Sequence, residues 1–122
     1  MTRKILVVDD EPGMRKSLAI ILRREQYEVT ESASVAEAIG HLKGEDYHLV
    51  IADLTMKPLD GLDLLTLIRR YRTRCPVIVM TAFGTPDVRS EANALGAVDF
   101  IEKPFEASRL LDRVRELVTL EP

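Results

Sequence analysis

Five polar side chains stand at the ends of apolar runs in this chain. Asp9 and Asp10 close "KILVVDD", Asp53 closes "HLVIAD", Thr81 closes "PVIVMT", and Lys103 follows "AVDFIE" just ahead of Pro104. Three carboxylates brought within about 5 Å repel one another by a few kcal/mol per pair, even at an effective dielectric of about 20. A hard divalent cation removes that cost, and Mg²⁺ takes oxygen ligands while keeping some of its water. The paired acids are therefore expected to seat a metal, with Asp10 as a direct ligand. Asp9, on the opposite side of the pleat, is expected to orient a metal-bound water. An ammonium and a hydroxyl suit the oxygens of a phosphoryl group. The central carboxylate, Asp53, can then attack phosphorus to give an aspartyl phosphate, with the metal and Lys103 neutralising the transferred charge.

These groups converge only if the chain folds so that the run ends share one edge. Five strand-length runs are present: "KILVVD" (4–9), "YEVTE" (27–31), "HLVIAD" (48–53), "PVIVMT" (76–81) and "AVDFIE" (97–102). Three of them are apolar without a break, as strands covered on both faces are. "YEVTE" alternates, which places it at a sheet edge. Between the runs lie helical stripes: Met14, Leu18, Ile21 and Leu22; Val35, Ile39 and Leu42; Leu64, Leu65 and Ile68; Leu110, Leu111, Val114, Leu117 and Val118. The stretch 86–95 offers only Val88, Ala92 and Leu95 and is the least anchored helix. Strict β–α alternation with right-handed crossovers predicts a doubly wound α/β fold. Its five parallel strands are expected in the order 2-1-3-4-5, with five helices on both faces and a ligand edge at the strand C-termini.

At 122 residues the chain is expected to be one domain, residues 1–122, with a core that needs no staples. A net charge of −3 speaks against bulk attachment to nucleic acid or membrane. One cysteine, Cys75, precludes an internal disulfide and fits a reducing compartment. There is no signal-peptide pattern and no apolar stretch near the ~20 residues that span a bilayer, so a cytoplasmic location is expected.

With the site residues in view, the chain strongly resembles the receiver domains of two-component response regulators. The motifs "VVDDEP", "IADLTMKPLDGLDLL", "VMTAFG" and "GAVDFIEKPF" occur in family order and at family spacing across essentially the whole chain. "TAFG" and "DFIEKPF" look most like receivers of enhancer-binding transcription activators. The resemblance implies the flavodoxin-like receiver fold and a regulatory domain rather than an enzyme. It implies that Asp53 accepts phosphate from a sensor histidine kinase with Mg²⁺, and that Asp9, Asp10, Asp53 and the backbone carbonyl of Thr55 form the metal site. Thr81 would hold a phosphoryl oxygen, Lys103 would pair with it, and Phe100 would be the switch aromatic. The Lys103–Pro104 bond would be cis. The implied partners are the kinase, an output domain or partner protein, and a homodimer through the fourth and fifth helices. One departure is clear: where the family usually has proline four residues after the acceptor, this chain has Lys57, with Pro58 next and Asp60–Gly61 at their usual distance.

Taken singly, each residue has a plainer reading. Asp9 and Asp10 suit a helix start, and Asp60 suits another. Phe100 also suits plain core. "RRYRTR" (69–74) suits a helix C-terminus, His41 is expected to be solvated, and His48 has no evident partner. Two other functions use the same residue types. A Mg²⁺-dependent phosphohydrolase of one large class would carry D-x-D after its first strand, whereas this chain has adjacent acids and its nucleophile candidate on the third. A partner-binding module that works without phosphate would lack the acceptor or the lysine; both are present.

Overall fold

The computed structural model describes residues 2–54, 61–71, 74–82 and 84–119. The chain alternates strand and helix throughout: β1 (Lys4–Val8), α1 (Pro12–Arg24), β2 (Glu28–Ser32), α2 (Val35–Gly44), β3 (Leu49–Asp53), α3 (Gly61–Tyr71), β4 (Val77–Thr81), α4 (Pro86–Ala94), β5 (Asp99–Glu102) and α5 (Ala107–Val118). The strands form one parallel sheet in the order β2-β1-β3-β4-β5, as the alternation predicts. β2, the run with alternating polarity, lies at an edge.

Alternating side chains divide the central strands between two cores. Leu6, Val8, Val50, Ala52, Val77 and Val79 face α2, α3 and α4. Ile5, Val7, Leu49, Ile51, Ile78 and Met80 face α1 and α5. Because β1, β3 and β4 are covered on both sides, their apolar runs need no polar break. The α5 stripe buries Leu110, Val114, Leu117 and Val118, whereas α4 buries Ala92 alone. Little apolar area then holds α4 to the sheet, which makes it the cheapest of these helices to displace.

Local signals act where they were not foreseen. Glu11, rather than Asp9 or Asp10, caps α1, its carboxylate accepting the Met14 N–H at 3.2 Å. Arg69 complements more than a helix dipole: it donates to the carbonyls of Cys75 at 2.9 Å and Gly96 at 2.8 Å, tying α3 to the turns before β4 and β5. Gly96 has φ +94°, a conformation that a side chain disfavours.

His48 does have a partner. Its Nδ1 accepts the Lys4 N–H at 3.0 Å, across the start of β1 and β3. Burial, followed by the charges of Arg3 and Lys4, lowers its pKa below the usual 6.5. The fold thus favours the neutral ring. Stability from this group is complete above about pH 6.5 and declines as pH falls through the lower folded value. Urea midpoints at pH 7.5 and 5.5 should show a smaller acid-side loss in His48→Gln than in wild type; equal losses would contradict the assignment.

Candidate functional site

The site grows from the register of the sheet. Asp9 and Asp53 each follow the last paired residues of β1 and β3, Val8 and Ala52. They stand side by side on the same pleat, on the face that carries α1 and α5. Asp9 is fully buried and Asp53 is 3% exposed, while Asp10, the next residue out, is exposed. Ligand oxygens of Asp9, Asp10 and Asp53 all lie within 4.8 Å of one another.

Lys103 reaches this pair from the far end of the chain. Its backbone N–H donates to the Thr81 carbonyl at 2.8 Å, extending the β4–β5 ladder by one residue, and the following bond to Pro104 is cis. Its Nζ lies 3.1 Å from Asp53 Oδ2 and 3.4 Å from Asp9 Oδ2. Burial alone lowers the Lys103 pKa, but the hydrogen bonds and charges of Asp53 and Asp9 outweigh it and hold it above its usual value. The ammonium is therefore fully charged at neutral pH.

Asp9 has the opposite problem. Burial pushes its carboxyl above the ordinary carboxylate value; the Glu11 amide lowers it, the Asp53 charge raises it, and Lys103 lowers it again. The Glu11 N–H donates to Asp9 Oδ1 at 2.9 Å. A raised folded pKa for an acid means that its ionised form costs stability above the unfolded value. One ammonium thus only partly compensates two sheltered carboxylates. A hard cation fits the remaining deficit. The donor set is all oxygen, one side is open through exposed Asp10, and the 4.8 Å spread is near the roughly 4 Å across a Mg²⁺ octahedron.

Thr81 and Phe100 lie on the other side of β4 and β5. Thr81 is 2% exposed and Phe100 is 6% exposed. The Phe100 ring joins the core that α4 covers and is buried in this structure. The Arg89 guanidinium sits 4.7 Å from the ring centroid, at a distance that suits a cation–π contact. A Cβ on Gly84 would lie 2.8 Å from Phe100 Cε1, so the loop backbone rests against the ring.

Asp9, Asp10, Asp53 and Lys103 are thus brought to one point, with Thr81 at the same sheet edge and Phe100 behind it. The expected ligand carbonyl of Thr55 lies outside the described residues, as do Lys57, Pro58 and Asp60. Sequence reasoning missed Glu11, Arg89 and also Arg15, whose Nη1 donates to the Asp9 carbonyl at 2.9 Å. Glu11 acts within its own helix, on the Met14 N–H; the helical positions of Arg15 and Arg89 were legible, but their targets on other segments were not.

Replacing Lys103 with Met should leave two buried acids without their counter-charge. Unfolding in EDTA at pH 7.5 should show a loss of about 1–3 kcal/mol, smaller at pH 5 and partly restored by Mg²⁺. An undiminished stability in EDTA would contradict the pairing.

Comparison with known proteins agrees with this geometry. The response regulator receiver domain family matches residues 5–115. Response regulator protein FleR of Pseudomonas aeruginosa is 40% identical over 114 residues, which is 93% of this chain and 24% of FleR. Transcriptional regulatory protein FixJ of Bradyrhizobium diazoefficiens is 36% identical over 120 residues, 97% of this chain and 58% of FixJ. The chain thus spans about a quarter of FleR and less than two thirds of FixJ. Among solved structures, a CheY-like receiver domain protein from Methanospirillum hungatei superposes with a TM-score of 0.93 at 26% identity, covering 98% of this chain and 95% of that one. TrrA from Thermotoga maritima, solved in complex with Mg²⁺-BeF, gives 0.86 at 32% identity, covering 95% and 99%. With five parallel strands in the family's order and its acids and lysine at one edge, this chain belongs to the response regulator receiver domain family.

Proposed function

We propose that this receiver domain is switched by phosphorylation of Asp53, with Mg²⁺ held by Asp9, Asp10 and Asp53. Phosphorylation switching is the general function of the family. The observation that carries the assignment to Asp53 is its position: a nearly buried carboxylate at the centre of the rim, 3.1 Å from Lys103 Nζ and next to Asp9 and Asp10. The donor is a phosphohistidine of a sensor kinase. An Asp53 oxygen forms the new O–P bond while the P–N bond breaks, and the imidazole leaves with that electron pair. Bound Mg²⁺ supplies charge neutralisation for the phosphoryl oxygens. Lys103 pairs with one phosphoryl oxygen and keeps its proton, since its pKa is raised. The Mg²⁺-BeF complex of TrrA supports this reading, because beryllium fluoride has the shape and charge of a phosphoryl group.

The added charge is read out through Thr81 and Phe100. Thr81 turns toward the phosphoryl group, and the Phe100 ring, already buried, repacks into the space behind it. α4, held by a single buried residue, then settles against the ring, and the surface of α4, β5 and α5 changes with it. The name of the transcriptional regulatory protein FixJ supports a transcriptional output domain or partner as the receiver of that change. No helix among the described residues is long and apolar enough to cross a membrane, which agrees with a cytoplasmic site of action.

Mass spectrometry after incubation with acetyl phosphate and Mg²⁺ should show one labile phosphoryl adduct on the wild type and none on Asp53→Asn. An adduct that persists in Asp53→Asn would refute the assignment. For the readout, Gly84→Ala should force the Phe100 ring outward, because the new methyl would meet it at 2.8 Å. Its aromatic NMR resonances should move, and the shift of the α4 amides on adding Mg²⁺ and beryllium fluoride should shrink relative to wild type; an undiminished α4 response despite a displaced ring would remove Phe100 from the switch.

A further inference from the structure

We propose that Arg15 is a positioning residue for the cation site, acting through the backbone between Asp9 and Asp10; this rests on the Mg²⁺ reading above. Arg15 lies on the first turn of α1 and is largely sheltered, its side chain 14% exposed. Its guanidinium makes two contacts in different directions. Nη1 donates to the Asp9 carbonyl at 2.9 Å, and Nε lies 3.4 Å from Glu31 Oε1. That Glu31 oxygen is shielded from solvent and makes no hydrogen bond, so the ion pair with Arg15 is what answers its charge. The other carboxylate oxygen, Oε2, takes Arg23 Nη1 at 3.3 Å, and Arg23 Nη2 donates to the Val29 carbonyl at 2.9 Å. Glu31 is thereby fixed at the edge of the sheet, and it fixes the plane of the Arg15 fork.

The consequence falls on Asp10. The Asp9 carbonyl and the Asp10 N–H belong to one planar peptide group. Asp9 is already tied on its other side, its N–H donating to the Ser32 carbonyl at 3.1 Å. Holding the Asp9 oxygen therefore sets the plane from which the Asp10 side chain leaves. Asp10 is exposed, so core packing does little to aim it. Supporting groups of this kind around metal ligands commonly change affinity by about tenfold or more.

Charge and position predict opposite signs here, which makes the inference testable. Arg15 is a cation near a cation site, so deleting it should tighten Mg²⁺ binding if only its charge matters. Calorimetric titration of Mg²⁺ into EDTA-stripped protein, with thermal unfolding in EDTA as a folding control, separates the two. Arg15→Ala should bind Mg²⁺ about tenfold more weakly. Arg15→Lys keeps the charge but cannot span both contacts as a planar fork, and should also bind more weakly. Unchanged or tighter binding in a folded Arg15→Ala would overturn the proposal. If that variant does not fold, wild-type affinity in Arg15→Lys would overturn it. Asp10→Asn tests the underlying reading: it should remove most binding from a wild type that binds. A wild type that takes up no Mg²⁺ would overturn the cation reading and this inference with it.

Discussion

Two carboxylates that the sheet forces together, and one ammonium set against them, are the constraint from which the site follows. Asp9 and Asp53 emerge side by side because β1 and β3 are paired in register. Neither is accessible enough for water to screen the repulsion. Lys103 relieves part of it at 3.1 and 3.4 Å. The Asp9 carboxyl stays above its ordinary value, chiefly through burial and then through the Asp53 charge. An arrangement with residual negative charge, open on the Asp10 side, is costly for a purely structural network and well suited to a divalent cation and an incoming phosphoryl group.

The rest of the fold makes that arrangement possible. Two apolar cores on either side of the sheet hold the strands whose ends carry these groups. The distribution of packing is uneven, however. α5 buries four side chains and α4 only Ala92, so a change at the rim meets least resistance on the α4 side. The Phe100 ring lies on that side, with the Arg89 guanidinium of α4 4.7 Å from its centroid.

Much of this was legible before any coordinates. Unbroken apolar runs against amphipathic stretches define a covered parallel sheet, and polar residues at run ends define its functional edge. The strand order and the meeting of Asp9, Asp10, Asp53 and Lys103 follow from those two facts. Side-chain contacts between segments were not legible. Capping of α1 was only the plainer alternative for Asp9 and Asp10, and Glu11, which no pattern singled out, takes that role. His48 looked solitary, and its acceptor role depends on the Lys4 amide, 44 residues away. Arg69 looked like a dipole complement, and its targets are carbonyls of two later turns. Arg15 carried no motif at all; its significance comes from lying between Glu31 and the Asp9 carbonyl. Periodicity reports which face a residue occupies, and says nothing of what waits on the neighbouring strand.

The central claim is that segments far apart in the chain form one cation-responsive rim. It is tested most directly by titrating Mg²⁺ into isotopically labelled protein and following backbone amides by NMR. The amides of Asp9, Asp10, Glu11, Asp53, Leu54 and Lys103 should respond together along a single binding curve. Responses confined to exposed acids elsewhere, such as Asp112 and Glu116 on α5, or separate curves for Asp10 and Asp53, would contradict it.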